Sequence, residues 1–262
     1  MAESTEVHEA FLEHTRKRLD KPELSARFEG LKLHMEELFH LNPENGETRV
    51  LDVGCGMGVQ SLLWANAGYS VTAMDIDGDL QKVGKEIAQQ DNLDIEWITG
   101  SAVDIPRDEG VFDVCLSVEL LEHVPDWESC LNEFCRVVKP GGVLLLTTTN
   151  TICPKQSEFN LPLYSWWPGM LKRRMERLAV TTKPELANYS DFPAVNWFNF
   201  FDLSKELSER GFETFDRFDA MFLEHKPQLV ASIVKAARSN AAMRALLYLF
   251  VEGTIVFARK RV

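Results

Sequence analysis

The chain has 262 residues, 45% of them hydrophobic, and a formal net charge of -12. A chain of this length buries one substantial core and forms one or two domains. The negative charge repels a polyphosphate backbone, which argues against a long nucleic acid as substrate.

The N-terminus and the cysteines both indicate a reducing compartment. Residues 1–9 are polar and acidic and lack the apolar core of a signal peptide. The five cysteines have neither paired metal-ligand spacing nor the pattern of a disulfide framework. We therefore expect a cytoplasmic protein with reduced thiols.

A helical cap is predicted before the first strand, over residues 1–45. Apolar residues recur there at helical spacing, and asparagine, proline and glycine then break the chain. The apolar positions are Phe28, Leu31, Met35, Leu38 and Phe39.

A short apolar strand then runs into three glycines, Gly54, Gly56 and Gly58. Glycine lets a ligand approach the backbone and reaches backbone angles that are closed to other residues. A helix predicted from about Val59 to Ala67 directs its free amides toward the loop. Dinucleotide enzymes usually carry a third glycine three positions after the second, whereas here the interval is two and Asp52 precedes the loop. This spacing favours S-adenosylmethionine over a nicotinamide cofactor.

A second buried strand is predicted from Ser70 to Met74, and two acidic residues follow it. Asp75 lies about where a ribose-binding carboxylate is expected after such a loop. Asp77 fits better as the cap of the next helix. We therefore predict that Asp75 accepts hydrogen bonds from a ribose diol.

Three more strands complete this region, from Ile95 to Thr99, from Phe112 to Ser117 and from Val143 to Thr149. The last follows a turn from Lys139 to Gly142. Strands alternate with helical segments, which predicts an α/β fold with a parallel sheet covered on both faces. Such sheets bind ligands at the carboxyl ends of their strands.

At this point the chain resembles the class I S-adenosylmethionine-dependent methyltransferases over roughly residues 49–150, and by motif the ubiquinone-biosynthesis O-methyltransferases and similar small-molecule enzymes. The resemblance implies a seven-stranded, mostly parallel, Rossmann-like sheet with the helical cap before it and a lid insertion after the fifth strand. The matching segments are Leu51 to Gly58, Met74 to Asp77, Val118 to Pro125 and Lys139 to Gly142.

The same resemblance implies where the cofactor lies. The glycine-rich loop would surround the methionine moiety, Asp75 the ribose and Ile76 the adenine face, while the end of the fourth strand would face the sulfonium. Ala102 would offer a backbone amide to the ring, and Ser101 stands where many relatives carry an aspartate. A serine can still accept one hydrogen bond. The implied cofactor-binding residues are Asp52, Gly54, Cys55, Gly56, Gly58, Asp75, Ile76, Ser101, Ala102, Val103, Ser117 and Val118.

Glu119, Glu122 and His123 are the candidate catalytic residues, because an oxygen acceptor must lose its proton. In a helical turn after the fourth strand these positions share one face. They could bind a divalent ion such as Mg or Mn, or present His123 as a general base. The resemblance implies such a metal set in ubiquinone enzymes and small-RNA 3′-end methyltransferases, but the further histidine that such relatives often carry is absent from residues 194–196. Structural packing, general base and metal ligand all remain open for His123.

Residues 151–195 are predicted as the lid insertion, rich in proline and aromatic residues. One interpretation is a lid helix that packs its apolar face on the sheet. The other is a basic amphipathic helix, residues 164–178, that contacts an anionic membrane surface. On the helical pattern, the apolar face holds Trp167, Leu171, Met175 and Leu178, and the other faces hold Lys172, Arg173, Arg174 and Arg177.

The acceptor pocket is predicted to lie under the lid insertion, and its aromatic residues suit a flat or greasy small-molecule acceptor, although they could equally fill the core of the lid. Phenolic O-methylation is the first hypothesis. The alternatives are N- or C-methylation of a small metabolite and a catalytically silent, cofactor-binding interaction subunit. The aromatic residues are Tyr164, Trp166, Trp167, Phe192, Trp197 and Phe198.

The predicted methyltransferase core comprises residues 46–150 and 196–262. Its later part reads as a helix from Asp202 to Arg210, a strand from Phe212 to Phe218, long helical spacing from about Gln228 to Val251 and a last strand from Thr254 to Ala258. The resemblance implies that the last strand is antiparallel. Charged residues interrupt the long helical stretch, so we do not expect it to span a membrane.

Overall fold

The structure is a computed structural model and describes residues 22–43, 47–190, 192–224 and 226–262. It divides into two compact units. The first unit holds the described residues up to Val118 together with Glu128–Val143, and the second holds Glu119–Trp127 and Leu144–Val262. The proposed division into cap, core and insertion stays a prediction.

Within the described residues, seven strands form the sheet: β1 (Arg49–Val53), β2 (Ser70–Asp75), β3 (Ile95–Thr99), β4 (Phe112–Val118), β5 (Val138–Thr149), β6 (Phe212–Asp216) and β7 (Gly253–Lys260). Their order in the sheet is β3-β2-β1-β4-β5-β7-β6. β1 pairs in parallel with β2 and β4, β2 pairs in parallel with β3, and β6 pairs with β7 in antiparallel fashion. The predicted seven-stranded, mostly parallel α/β sheet with an antiparallel last strand is confirmed.

In the first unit, the helices are α1 (Pro22–Phe39), α2 (Val59–Asn66), α3 (Gly78–Gln90) and α4 (Trp127–Val137). α1 buries the apolar face that its spacing predicts, including Met35 and Phe39. The predicted helix is thus confirmed for this stretch, while residues 1–21 and 44–46 of the predicted cap lie outside the described residues. Asp77 caps α3 as predicted, since its carboxylate accepts hydrogen bonds from the amides of Asp79 and Leu80.

β5 begins five residues earlier than predicted, at Val138 rather than Val143. The turn residues Gly141 and Gly142 belong to the strand. Gly141 has φ 79°, and a Cβ at Gly142 would lie 3.0 Å from the carbonyl oxygen of Asp113 in β4. Strand pairing therefore continues through the turn because glycine leaves room for the neighbouring backbone.

The second unit contains α5 (Gly169–Thr181), α6 (Phe200–Glu209), α7 (Arg217–Ala220), α8 (Gln228–Ser239) and α9 (Ala241–Tyr248), with short 3₁₀ turns at Tyr164–Trp166 and Pro184–Ala187.

The boundaries of the elements in the second unit correct three predictions. The carboxamide of Asn199 caps α6, which starts at Phe200 and not at Asp202. The carboxylate of Asp216 ends β6 before Phe218 and caps α7. Asn240 caps α9 and divides the predicted long helix into two. In each case a side-chain oxygen accepts hydrogen bonds from the free amides in the first turn of a helix. This contact fixes the start of the helix at the capping residue.

The buried face of α5 differs from the predicted one. Leu171 is exposed, whereas Lys172 and Ala179 are buried. The ammonium of Lys172 lies over the rings of Trp197 and Tyr164, so this cation lies in the interior and the neighbouring leucine faces outward. The helical spacing of apolar residues alone does not predict a buried lysine next to an exposed leucine.

No helix in the described ranges has the length and apolarity that a bilayer crossing requires.

Candidate functional site

In the first unit, the loop between β1 and α2 is a tight turn made of glycines. Gly54, Gly56 and Gly58 have φ of 74°, 53° and 76°, a region that side chains rarely adopt. The amides of Gly54 and Cys55 both donate to the carbonyl oxygen of Met74, at 2.8 and 3.0 Å, which ties the loop to the end of β2. A Cβ at Gly56 would meet no atom within 4 Å, so the backbone there borders open space.

Asp75 lies at the end of β2 and holds this loop. One of its carboxylate oxygens accepts the amide of Gly56 at 2.7 Å, and the other accepts the amide of Asp77 at 2.8 Å. Each oxygen keeps a further lone pair for a ligand hydroxyl. Burial raises the pKa of the Asp75 carboxyl. Ile76, the predicted adenine neighbour, is exposed beside it.

Asp52 is the second carboxylate of the loop, and it is fully buried in β1. The hydroxyl of Ser61 in α2 donates to it at 2.6 Å. Burial raises the pKa of Asp52 to about 6, and the charge of Asp75 adds to the shift. Within the described part of the chain, no basic side chain forms an ion pair with either carboxylate. The pair therefore favours a cationic ligand, which would offset the cost of a buried negative charge at Asp52 beside a half-buried one at Asp75.

Two serines lie at the predicted adenine and sulfonium positions. The hydroxyl of Ser101 is 3.5 Å from the amide of Val103, a long hydrogen bond that leaves the hydroxyl largely available. Ser117, at the end of β4, is buried, and its hydroxyl has no hydrogen-bond partner among the described residues. A buried hydroxyl of this kind normally has a partner, which makes Ser117 a ligand-facing candidate.

In the second unit, the segment with Glu119, Glu122 and His123 is a hydrogen-bonded turn and not the predicted helical turn. The amide of His123 donates to the carbonyl oxygen of Leu120 at 2.9 Å, and Glu119 has φ 55°. Glu119 is exposed and Glu122 is buried, so these side chains do not share one face. The positive φ of Glu119 breaks the helical spacing on which that expectation depended.

Glu122 is buried, which disfavours the charged form of its carboxyl. The hydroxyl of Thr148 in β5 donates to it at 2.8 Å. Burial raises the pKa of Glu122 to about 8, and the charges of Glu158 and Glu119 act in the same direction. At neutral pH this carboxyl is therefore a poor proton acceptor.

His123 is neutral at the same pH. Burial lowers the pKa of its imidazole, although the backbone carbonyl groups of Phe192 and Pro193 and the charge of Glu119 partly oppose the shift. Its Nε2 lies 3.9 Å from a carboxylate oxygen of Glu158. A neutral imidazole can accept a proton, so His123 meets the first requirement of a general base.

Metal-ligating side chains do not gather here. Across residues 22–43, 47–190, 192–224 and 226–262, no group of three or more His, Cys, Asp or Glu side chains is arranged to hold a metal ion.

Most of the predicted acceptor-site aromatics fill the core of the second unit. Tyr164 is fully buried, stacks on Phe159 with ring centroids 4.3 Å apart and meets Trp197 edge to face. Trp167 packs against the same cluster, and Phe198 meets Trp127 edge to face. Trp166 and Phe192 are exposed. The core-filling interpretation thus describes four of the six aromatics.

Sequence reasoning missed three residues that shape these sites. Ser61 holds Asp52, and its only signal was a small polar residue in the first turn of the helix after the loop. Gly84 in α3 lies under the loop, since a Cβ there would be 2.5 Å from the carbonyl oxygen of Met57. The sequence did not indicate a role for Lys172, because the helical pattern placed it on a polar outer face.

The part of the chain that carries the glycine-rich loop is similar to known proteins. Residues 51–146 match the family model of a methyltransferase domain. The ubiquinone biosynthesis O-methyltransferase of Xanthomonas oryzae pv. oryzae is 39% identical over 103 residues, which cover 39% of this chain and 43% of that protein. That of Xanthomonas axonopodis pv. citri is 37% identical over 108 residues, 41% of this chain and 45% of that protein. The matched region thus spans less than half the length of these relatives.

Solved structures agree on the fold. An S-adenosylmethionine-dependent methyltransferase from Methanosarcina mazei has a TM-score of 0.54 at 22% identity and covers 86% of this chain and 97% of its own. The geranyl diphosphate C-methyltransferase from Streptomyces coelicolor, solved with Mg2+, geranyl diphosphate and S-adenosyl-L-homocysteine, has a TM-score of 0.56 at 17% identity and covers 91% and 79%. Together with the family match, these similarities confirm the predicted resemblance to S-adenosylmethionine-dependent methyltransferases.

Proposed function

We propose that this chain, whose residues 51–146 form a methyltransferase domain, transfers a methyl group from S-adenosylmethionine to a hydroxyl of a small aromatic or lipidic metabolite. One observation carries the proposal: in the glycine-rich loop, the Asp75 carboxylate accepts a hydrogen bond from the amide of Gly56, and the buried Asp52 lies nearby. This arrangement combines hydrogen-bond acceptors for a ribose with negative charge for a cationic donor.

The residues of the first unit fit S-adenosylmethionine. Open space lies at Gly56, where a Cβ would meet nothing, and the buried hydroxyl of Ser117 lacks a partner among the described residues. Asp75 and Asp52 would hold the ribose and favour the positive charges of the methionine end, and Ile76 would cover the adenine. Ser101, Ala102 and Val103 would meet the rim of the ring.

S-adenosylmethionine supplies a methyl group that is already activated by the sulfonium. The protein must then align the acceptor and, for a hydroxyl, remove its proton. We assign the proton to Nε2 of His123, because burial keeps this imidazole neutral while Glu122 stays protonated. Glu158, 3.9 Å from Nε2, would stabilise the imidazolium that forms. Glu122 is then a positioning residue, and N- or C-methylation remains the alternative where no such proton is removed.

The experiment separates cofactor binding from chemistry. Calorimetry with S-adenosylhomocysteine is run on the wild type, Asp75→Ala and Lys82→Met, a surface control on α3. Asp75→Ala should weaken binding at least about tenfold, since it removes hydrogen bonds to a charged acceptor. If the folded wild type binds neither S-adenosylmethionine nor S-adenosylhomocysteine at millimolar concentration, the proposal is overturned.

Methyl transfer to a panel of catechols and phenols then tests the acceptor, with the methylated atom read from the products. His123→Ala is assayed with and without EDTA. Loss of activity in the variant, with the wild type insensitive to EDTA, supports the general base. Loss of wild-type activity in EDTA supports a metal ion, and unchanged rates in every arm reject both roles.

We also propose that the segment 164–178, together with the neighbouring Leu163, contacts an anionic membrane surface. Its large apolar side chains Leu163, Trp166, Met170 and Leu171 are exposed. Three arginines on α5, namely Arg173, Arg174 and Arg177, are exposed as well. Exposed tryptophan and leucine beside arginine are typical of helices that lie in a membrane interface.

A further inference from the structure

Lys172 is a buried cation in the core of the second unit, with only 8% of its surface exposed. Lysine is almost never buried to this extent unless its charge is paired. Burial lowers the pKa of its ammonium to about 8, and Glu176 one turn later on α5 partly opposes the shift. These two side chains, both within the described residues, form no ion pair with each other.

The ammonium of Lys172 uses only part of its hydrogen-bonding capacity. Its Nζ donates to the backbone carbonyl oxygen of Ser165 at 2.8 Å. It also lies 4.2 Å from the ring centroid of Trp197 and 5.8 Å from that of Tyr164. Ring faces attract a cation but accept no strong hydrogen bond, so two of the three N–H groups lack an acceptor among the residues that the structure describes.

Two further polar groups, on residues that contact Lys172, are also buried and lack partners among the described residues. The hydroxyl of Ser165 and the indole Nε1 of Trp197 form no hydrogen bond within the described ranges. Ser165 is itself 5% exposed. Both belong to residues that touch Lys172, one through its carbonyl oxygen and one through its ring. Buried polar groups nearly always have partners, so a cluster of such groups indicates a missing ligand or water.

These groups share one chemical property, because each can donate a hydrogen bond and one carries a positive charge. The matching ligand supplies several acceptor oxygens and a negative charge. Partly buried apolar side chains that pack against the cluster around Tyr164, among them Trp197, Trp167 and Met175, supply apolar surface for an aromatic or lipidic body.

We infer that Lys172, Ser165 and Trp197 bind an organic oxyanion, a carboxylate or a phosphate carried on an apolar body. The inference rests on the proposed function and deepens it, because it assigns the acceptor to the class of anionic metabolites. Nothing in the glycine-rich loop predicts this class.

The test is calorimetry with three aromatic probes. Benzoate and phenyl phosphate carry the oxyanion, and benzamide is the neutral isostere of benzoate. We expect at least one anion to bind the wild type about tenfold more tightly than benzamide. The stronger of the two anions identifies the headgroup as carboxylate or phosphate. Equal binding of all three probes, or no binding of either anion, overturns the inference.

Three variants locate the binding. Lys172→Met should abolish the preference for the anion, and Lys183→Met, an exposed lysine after α5, should preserve it. Ser165→Ala and Trp197→Phe each remove one donor with little change in shape, so they carry the test if Lys172→Met fails to fold. Each should weaken anion binding severalfold while thermal stability stays equal or rises. Unchanged affinity with raised stability would mean that these groups are merely unsatisfied, which overturns the inference.

A crystal soaked with the better probe gives the direct readout. Density for the oxyanion beside Nζ of Lys172 supports the inference, and ordered water alone overturns it. S-adenosylhomocysteine is titrated into the same samples. Retained cofactor binding with no anion binding contradicts only this inference, whereas lost cofactor binding in the wild type contradicts the proposed function.

Discussion

At the residue scale, the most consequential groups are carboxylates whose ionisation depends on burial. Asp52 and Glu122 are both buried and both have raised pKa values, to about 6 and about 8. Asp52 therefore titrates just below neutral pH and Glu122 just above it. Each makes a separate prediction about pH.

Cofactor affinity should fall as pH falls through about 6. The ionised Asp52 favours the cationic methionine end of the cofactor, and protonation removes that attraction. Calorimetry with S-adenosylmethionine from pH 5 to pH 8 measures the effect. Asp52→Asn should bind about tenfold more weakly at pH 7.5 and lose most of the pH dependence. The exposed Asp79→Asn should keep the wild-type profile, and an identical profile in Asp52→Asn would contradict the assignment.

Glu122 should make folding stability fall with rising pH. Its pKa is about 8 in the folded state and 4.5 for a glutamate in the unfolded chain, so its contribution is complete below about 4.5 and is lost as pH rises through about 8. The loss is on the order of 3 to 5 kcal/mol as an upper estimate. Urea unfolding at pH 5, 7 and 9 should give a flatter dependence for Glu122→Gln than for the wild type. Parallel curves would show that another group is responsible.

At the element scale, α3 supports the cofactor loop through a glycine. A Cβ at Gly84 would lie 2.5 Å from the carbonyl oxygen of Met57 and 2.5 Å from the ring of Trp97. To make room for such a Cβ, the backbone of the loop would have to move, and its glycines would move with it. Packing of α3 and the geometry of the loop are therefore coupled at one position.

Gly84→Ala should destabilise the protein by about 1 to 3 kcal/mol and weaken cofactor binding. Gly30→Ala in α1 is the matched control, because a Cβ there meets no atom within 4 Å. That change should stabilise the protein by about 0.5 to 1 kcal/mol, since alanine suits a helix interior. Thermal unfolding and S-adenosylhomocysteine calorimetry measure both variants. Equal stability of the two would contradict the close contact.

The boundaries of the elements were the weaker part of the sequence prediction. The strands of the first unit were predicted to within a residue or two, apart from β5, because each is a short apolar run that ends at a glycine or an acidic residue. The starts of α6, α7 and α9 were missed because each depends on one Asn or Asp that caps a helix. Many such residues occur in the chain, and the surrounding packing decides which of them cap.

At the scale of the whole molecule, the formal net charge of -12 contrasts with the arginines of α5. Such a chain is repelled from an anionic bilayer unless a local basic and apolar surface overcomes the repulsion. Exposed apolar side chains and arginines occur together between Leu163 and Arg177, and we propose that they supply such a surface.

The wild type should therefore co-sediment with vesicles that contain anionic lipid and not with neutral vesicles. The double variant Trp166→Ser with Leu171→Ser should bind about tenfold less, because it removes two apolar anchors. Leu33→Ser, an exposed leucine of α1, should bind as the wild type does. Binding that is independent of anionic lipid, or equal in all three proteins, would reject the membrane contact.

The sequence by itself determined the glycine-rich loop, the carboxylate at the end of β2 and the alternation that builds the sheet. These features depend on backbone sterics and on neighbours along the chain, and both can be read from residue order. Only the tertiary structure decided that burial raises the pKa of Glu122, that most of the predicted acceptor-site aromatics fill a core and that Lys172 faces inward. The physical reason is desolvation, because residues distant in sequence decide whether a charge or a ring is buried. The spacing of apolar residues along a helix also carries no information about aromatic rings elsewhere in the chain that stabilise a buried cation.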